Sequence, residues 1–196
     1  VGNYNIVLLS DYGKGVLTSN LTKELIQVAN KKNKKILVDP KGLDFSKYTG
    51  AYLLTPNKKE ASEATNIIIK DNNSLNIAIL NLKKKYKLNV SLITLSEDGV
   101  AIYDKNLRVH PTAAREVYDV TGAGDTVLAS LGFALSCNID IDKAVQFANL
   151  ASGVVVGKIG SAVATLDEII EYESSLKKSN SREHIKNWSE ISVIVN

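Results

Sequence analysis

The chain has 196 residues, 44% of them apolar, with 24 Lys and Arg against 21 Asp and Glu for a net charge of +3. That is one domain's worth of chain with the composition of a packed globular protein, which excludes a disordered one. No apolar run approaches the roughly 18 to 20 residues that span a bilayer, so no membrane segment is expected, and the lone Cys137 excludes an internal disulfide and suits a reducing compartment.

The chain opens on "VGNYNIVLLSDYG", without a basic leader or cleavage site, and it contains no Met. It enters an apolar strand, 5–10, of buried type almost at once, which predicts the interior of a longer polypeptide. A helix follows over about 19–32, with Leu21, Leu25, Val28 and Ala29 on its expected buried face. "KILVDP" (35–40) and "AYLLTP" (51–56) read as strands closed by proline, and "NKKEASEA" (57–64) opens a short helix. Residues 74–87 are helical, with Leu75, Ile79, Leu82 and Tyr86 spaced for burial. "VSLITL" (90–95), a turn at Glu97-Asp98-Gly99, and "VAIYD" (100–104) form a strand pair, and a further β segment is expected over 108–120. Three helices then complete the chain: 125–137 with Leu128, Leu131 and Leu135; 141–157 with Ala144, Ala148, Ala151 and Val155; and 167–178.

Short apolar strands alternating with amphipathic helices predict an α/β fold with a mainly parallel sheet covered on both faces. Its loops at the strand C-terminal ends then gather on one edge, where Asp11, Asp39, Asn57 and Asp125 fall. The tail, 176–196, reads as a linker. The Lys clusters "NKKNKK" and "LKKKYK" are interleaved with helical apolar positions, so they predict solvated helix ends and no nucleic-acid partner.

"DVTGAGDT" (119–126) carries the sharpest chemical signal. Gly122, Ala123 and Gly124 lead into a helix start, where backbone N–H groups lack helical partners and can form an anion hole. Asp125 then reads in two ways: an N-cap, or a general base taking a proton from an attacking hydroxyl while a phosphoryl group rests on those N–H groups. Asn57 and Glu60, three apart, read either as a capping box or, with Asp39, as oxygen groups around a Mg²⁺ held largely through water. Lys14 and Lys41 sit in Gly-containing loops and are candidates for a substrate phosphate, or are simply solvated. His110 and His184 have no ligand partners at metal spacing, so zinc is not expected. No GxxxxGK[ST], GxGxxG after a strand, or GxSxG is present, which argues against P-loop, dinucleotide and nucleophile-elbow chemistry.

Together, a strand ending in Asp, a later N-x-x-E and "DVTGAGDT" opening a long helix resemble the ribokinase-like, or PfkB, sugar kinases. Within that family, "LLSDYGKGVLT", "VDPKG", "YLLTPNKKE", "EVYDVTGAGDT" and "FANLASGVVVGKIGSA" are similar to the heptose 7-phosphate kinases, which form one part of bifunctional enzymes of ADP-heptose and lipopolysaccharide synthesis. The resemblance runs over residues 5–175 and implies a three-layer αβα sandwich of which this is the C-terminal, nucleotide-side portion. It implies ATP and Mg²⁺ as cofactors, a sugar phosphate as acceptor, and Asp125 as the base at the anomeric hydroxyl. Asn57, Lys58, Lys59 and Glu60 would lie at the ATP phosphates, with Ser96, Glu97 and Gly99 on the nucleotide loop and Asn149 and Gly153 beside adenine. The signature leaves other PfkB sugar or nucleoside kinases, and an inactive nucleotide-binding segment, open as alternatives. Most sugar contacts, the β lid and the superfamily's common dimer surface belong to a half upstream, and a nucleotidyltransferase would follow the linker. Alone, the chain is therefore expected to be inactive; the full-length protein is expected to be a bacterial cytoplasmic enzyme, with a homodimer left open.

Overall fold

The computed structural model describes residues 1, 3–114 and 117–178. Strands β1 (Ile6–Ser10), β2 (Lys35–Asp39) and β3 (Leu53–Leu54) pair in parallel, in the order β1-β2-β3. Strands β4 (Ser91–Thr94), β5 (Val100–Tyr103) and β6 (Leu107–His110) pair antiparallel, with Ser91 opposite Tyr103 and Val100 opposite His110. The two sheets meet at β3 and β4. The Val90 N–H donates to the Tyr52 carbonyl, Thr94 N–H donates to Pro56, each at 3.0 Å, and Asn57 and Thr94 form a parallel bridge.

Strand pleating sorts the apolar side chains onto two faces. Ile36, Val38, Leu54, Ile93 and Ala101 enter one core with helices α1 (Ser19–Lys31), α2 (Lys58–Thr65) and α3 (Asn72–Lys85). Leu37, Leu53, Leu92, Val100 and Ile102 enter the other with α4 (Ala123–Ser136) and α5 (Ile141–Val156). The result is the expected three-layer αβα sandwich. Each fully buried Leu or Ile contributes about 1.5–3 kcal/mol, so these alternating positions set the strand faces firmly. The last helix, α6 (166–178), packs Ile169 and Tyr172 against α5; the Thr165 and Glu168 side chains cap its start reciprocally.

Local chemistry sets the helix boundaries. Thr18 caps α1, Asp71 caps α3 and Asp140 caps α5, each accepting a backbone N–H three residues on. Leu75, Ile79, Leu82 and Tyr86 are buried as their spacing predicts.

Three expectations need correction. Helix α1 buries Thr22, Ile26 and Ala29, while Leu21 and Val28 stay exposed: the apolar residues trace two overlapping stripes, and the core takes the one nearer Phe45 and Tyr48. Among the described residues strand β1 pairs only with β2; Leu9 is buried but Leu8 is 39% exposed, unlike a strand buried on both faces. The β segment over 108–120 ends at His110, where Pro111 offers no N–H to extend the ladder; Arg115 and Glu116 lie outside the described residues. Helix α6 covers the 167–178 expected from spacing; the residues after 178, His184 among them, lie outside the described residues.

Candidate active site

Helix α4 starts at a turn that only glycine enters easily. Gly122, its N-cap, has φ 79°, in the left-handed region, and supplies no side-chain cap. Asp125 is therefore the third helical residue and not the N-cap. Its carboxylate turns instead toward the loop after β1: Ser10 Oγ donates to Oδ1 at 3.0 Å and the Tyr12 hydroxyl donates to Oδ2 at 2.6 Å. The side chain stands at the protein surface, close to the positive end of the helix.

The proposed amide nest is only partly available. The Ala123 N–H donates to the Val120 carbonyl at 3.1 Å, which removes it from the expected anion hole. The N–H groups of Gly122 and Gly124 have no acceptor among the described residues, and a Cβ built on Gly124 meets nothing within 4 Å. An anion could approach Gly124 closely. The Asp119 carboxylate braces the turn from outside, accepting from Thr121 N–H at 2.9 Å and Gly160 N–H at 3.1 Å.

Beside this turn lies a cleft of about 450 Å³. Ser96, Glu97, Gly99, Asn149 and Gly153, the five residues expected at a nucleoside, all line it, together with Ala123 and Gly124. Two of its glycines let neighbouring segments pack closely behind the wall. A Cβ on Gly99 would fall 2.0 Å from the His110 carbonyl oxygen, and one on Gly153 would fall 2.9 Å from the Tyr172 ring. Asn149 is buried, and its amide donates to the Pro111 carbonyl at 3.1 Å, so it ties α5 to the chain after β6 as well as lining the cleft.

On the parallel side, the candidate residues bond mainly to one another. Asn57 and Glu60 form the full capping box of α2: Glu60 N–H donates to Asn57 Oδ1 at 2.9 Å and Asn57 N–H donates to Glu60 Oε2 at 3.1 Å. Glu60 Oε1 accepts from the Lys41 ammonium at 3.0 Å, which raises the Lys41 pKa. Lys59 reaches along α2 to Glu63 at 3.9 Å; Lys58 and Lys14 are exposed without a partner among the described residues. Neither Lys58 nor Lys59 lines the cleft. Asp39 accepts from the Thr55 hydroxyl at 2.9 Å. Burial is the main cause that pushes its carboxyl up to about 6; the Thr55 bond opposes this, and the charges of Glu60 and Asp125 add to it.

Beyond burial, the charges of Glu60 and Asp125 act on Asp39 in the same direction and are only partly offset by Lys41. Such a field favours a cation. Yet among the described residues no group of three His, Cys, Asp or Glu side chains is placed to hold one directly, and the Asn57 and Glu60 oxygens are committed to the cap and to Lys41. The residues therefore fit a hydrated Mg²⁺ that keeps its waters, and not a direct cage of Asp39, Asn57 and Glu60.

Sequence reasoning missed Ser10 and Tyr12, which touch Asp125 across more than 100 residues of chain. It noted Asp11 without its partners. Asp11 is 5% exposed and accepts from the Lys47 ammonium, the Tyr48 hydroxyl (2.6 Å) and the Gly13 N–H (2.7 Å). The available signal was position: "SDYG" leaves an apolar strand on the same edge as Asp39 and Asn57.

A family model described as pfkB family carbohydrate kinase matches residues 1–168. The chain belongs to that family. Among curated relatives, the bifunctional protein HldE of Aliarcobacter butzleri is 66% identical over 191 residues, covering 97% of this chain and 40% of the relative. HldE of Sulfurimonas denitrificans is 60% identical over 195 residues, covering 100% and 41%. The chain thus spans about two fifths of these relatives' length. Of solved structures, Arabidopsis thaliana ribokinase with ribose and ATP superposes with TM-score 0.78 at 20% identity, covering 87% of this chain and 56% of that one. Escherichia coli phosphofructokinase-2 with potassium gives 0.77 at 20% identity, covering 88% and 57%. At that identity the likeness establishes the ribokinase-like fold of this pfkB chain.

Proposed function

We propose that this chain is the nucleotide-side part of a longer kinase that transfers the γ-phosphoryl group of ATP to the anomeric hydroxyl of D-glycero-β-D-manno-heptose 7-phosphate. The reading is carried by Asp125: a carboxylate held by two donors at a helix start, next to the unpartnered Gly124 N–H and the rim of a nucleoside-sized cleft. The "DYGKG" and "DPKG" loops and the two HldE relatives favour the heptose acceptor over other sugars. The product would enter ADP-heptose synthesis in the bacterial cytoplasm.

In the reaction, Asp125 takes the proton of the anomeric hydroxyl as its oxygen bonds to the γ-phosphorus and the bond to the ADP oxygen breaks. Negative charge gathering on the transferred group is met by the Gly122 and Gly124 N–H groups at the positive end of α4. Ser96, Glu97, Gly99, Asn149 and Gly153 enclose the nucleoside, and Lys41 or Lys14 meets a phosphate. Mg²⁺, accompanied by Asp39, Asn57 and Glu60 through water, would supply neutralising charge at the ATP phosphates. Since Asp125 is open to solvent here, the chain on its own would bind nucleotide without useful turnover.

The test is Asp125→Asn in the full-length protein. Turnover should fall by about a thousandfold while ATP affinity changes less than about threefold. Retained turnover would remove Asp125 as the base. A panel of sugar phosphates on the same protein then tests the acceptor, with heptose 7-phosphate expected to give the highest kcat/KM.

A further inference from the structure

Asp125 stands on an exposed helix start, where a carboxylate on a one-carbon stem is free to change rotamer. A general base must hold its oxygen within about 3 Å of the proton it takes, and a displacement of about 1 Å can cost a hundredfold. Something must hold it. Both its oxygens are engaged from one side, Oδ1 by Ser10 at the end of β1 and Oδ2 by Tyr12 two residues later. A carboxylate offers about four acceptor positions, so two stay open for an incoming hydroxyl.

Burial does not explain where Tyr12 sits. The residue is 65% exposed and belongs to none of the apolar cores, so polar contacts place its hydroxyl: the bond to Asp125 first, with Ser10 beside it. The Asp125 bond also holds the phenol pKa above its ordinary value. The loop beneath is tied down by buried bonds. Asp11, buried between its neighbours Ser10 and Tyr12, is bonded by Lys47, Tyr48 and the Gly13 N–H, and its own N–H donates to the Asp39 carbonyl at 3.1 Å.

We propose that Tyr12, with Ser10, is a positioning residue for the reaction: the pair clamps the Asp125 carboxylate so that its free edge faces the acceptor hydroxyl, and the Asp11 cluster anchors the clamp. This rests on the reading of Asp125 as the base.

The experiment compares Tyr12→Phe, Ser10→Ala, Ser10→Thr and Asp125→Asn in the full-length protein, measuring kcat, both KM values, ATP affinity and melting temperature. Tyr12→Phe should lower kcat about tenfold, and Ser10→Ala, which loses the longer bond, about threefold. Both KM values should stay within about twofold and melting should be unchanged. Ser10→Thr, which keeps a hydroxyl, should restore wild-type kcat. Added to Asp125→Asn, Tyr12→Phe should cause no further loss, because a clamp without its carboxylate has nothing to hold. If Asp125→Asn stops turnover while Tyr12→Phe and Ser10→Ala keep kcat within twofold, the clamp is wrong and the base reading survives. If Asp125→Asn retains turnover, the base reading falls and takes the clamp with it. A Tyr12→Phe protein that melts lower and loses kcat and KM together shows a structural role and also overturns the inference. Should Tyr12→Phe fail to fold, Ser10→Ala, at an exposed hydroxyl, decides: a threefold loss of kcat supports the clamp and an unchanged kcat overturns it.

Discussion

The two sides of the candidate site are built from different materials. On the parallel side, around the ends of β1, β2 and the start of α2, charged and hydroxyl side chains bond to one another: Asp11 with Lys47 and Tyr48, Asp39 with Thr55, Glu60 with Lys41. On the antiparallel side the cleft between β4, β5, α4 and α5 is walled largely by glycine, small residues and valine, with space as its main feature. The first side should respond to charge and pH; the second should respond to a single methyl group.

The largest effect should come from adding that methyl group. Gly99 has φ 94°, and a Cβ there would lie 2.0 Å from the His110 carbonyl oxygen and 2.6 Å from the Thr112 nitrogen, both backbone atoms. Gly99→Ala should destabilise by about 3 kcal/mol through strain and overpacking, and should weaken nucleotide binding with no dependence on pH. Urea melts at pH 5 and pH 8 with the same loss would bear this out; a neutral substitution would mean that the cleft wall yields.

A comparable loss on the other side should need a change of charge instead. Asp11→Asn leaves the Lys47 ammonium, 21% exposed, without its carboxylate and should cost about 3 kcal/mol at pH 7. Burial alone would raise the Asp11 pKa, but the bonds from Lys47, Tyr48 and Gly13 outweigh it and hold the value below 3.8. A depressed carboxyl contributes stability above its unfolded pKa and loses it as pH falls through the folded one. The difference between wild type and variant should therefore shrink only below about pH 4. A difference that vanishes already at pH 6 would rule out this ion pair as the cause.

Asp39 should behave with the opposite sign and a smaller size. Its carboxyl is raised from 3.8 to about 6, so between those values the folded protein keeps a proton that the unfolded chain releases. Stability should fall as pH rises through that window. Asp39→Asn, neutral throughout and able to keep the Thr55 contact, should stabilise by about 2 kcal/mol at pH 7 and by nothing below pH 4. Thermal melts across pH 4–7 would decide it. An unchanged slope would show that Asp39 is not the group responsible.

The same division decides what could be read in the sequence. Helix α3 was legible because Leu75, Ile79, Leu82 and Tyr86 mark the stripe that is buried, although Ile77 stays exposed, whereas the apolar residues of α1 trace two stripes and its buried face was misplaced. The capping box was legible because Asn57 and Glu60 are three residues apart and bond locally. The cleft was not legible from spacing: Ser96, Glu97, Gly99, Asn149 and Gly153 meet only after the sheet forms, and they were found through family resemblance alone. Ser10 and Tyr12 lay hidden because the contact to Asp125 joins the first strand's exit to a helix that starts near residue 123, and no local pattern encodes that distance.

Asn57 lies where the two sides touch, bridged to Thr94, which lines the cleft. It also carries the smallest predicted effect. Its Oδ1 is taken by the cap, but its Nδ2 has no acceptor among the described residues, so the same side chain can cap α2 and donate to an ATP phosphate. Asn57→Asp separates the two roles, because aspartate caps a helix as well as asparagine does but offers no donor and adds negative charge. Melting should then be unchanged while the KM for ATP rises about tenfold, equivalent to about 1.4 kcal/mol. If melting and KM both stay at wild-type values, Asn57 is a cap and nothing more, and the ATP phosphates lie wholly with the amides of α4. If melting falls instead, the cap depends on the amide itself, and the polar side of the site is held together by geometry as exacting as that of the cleft.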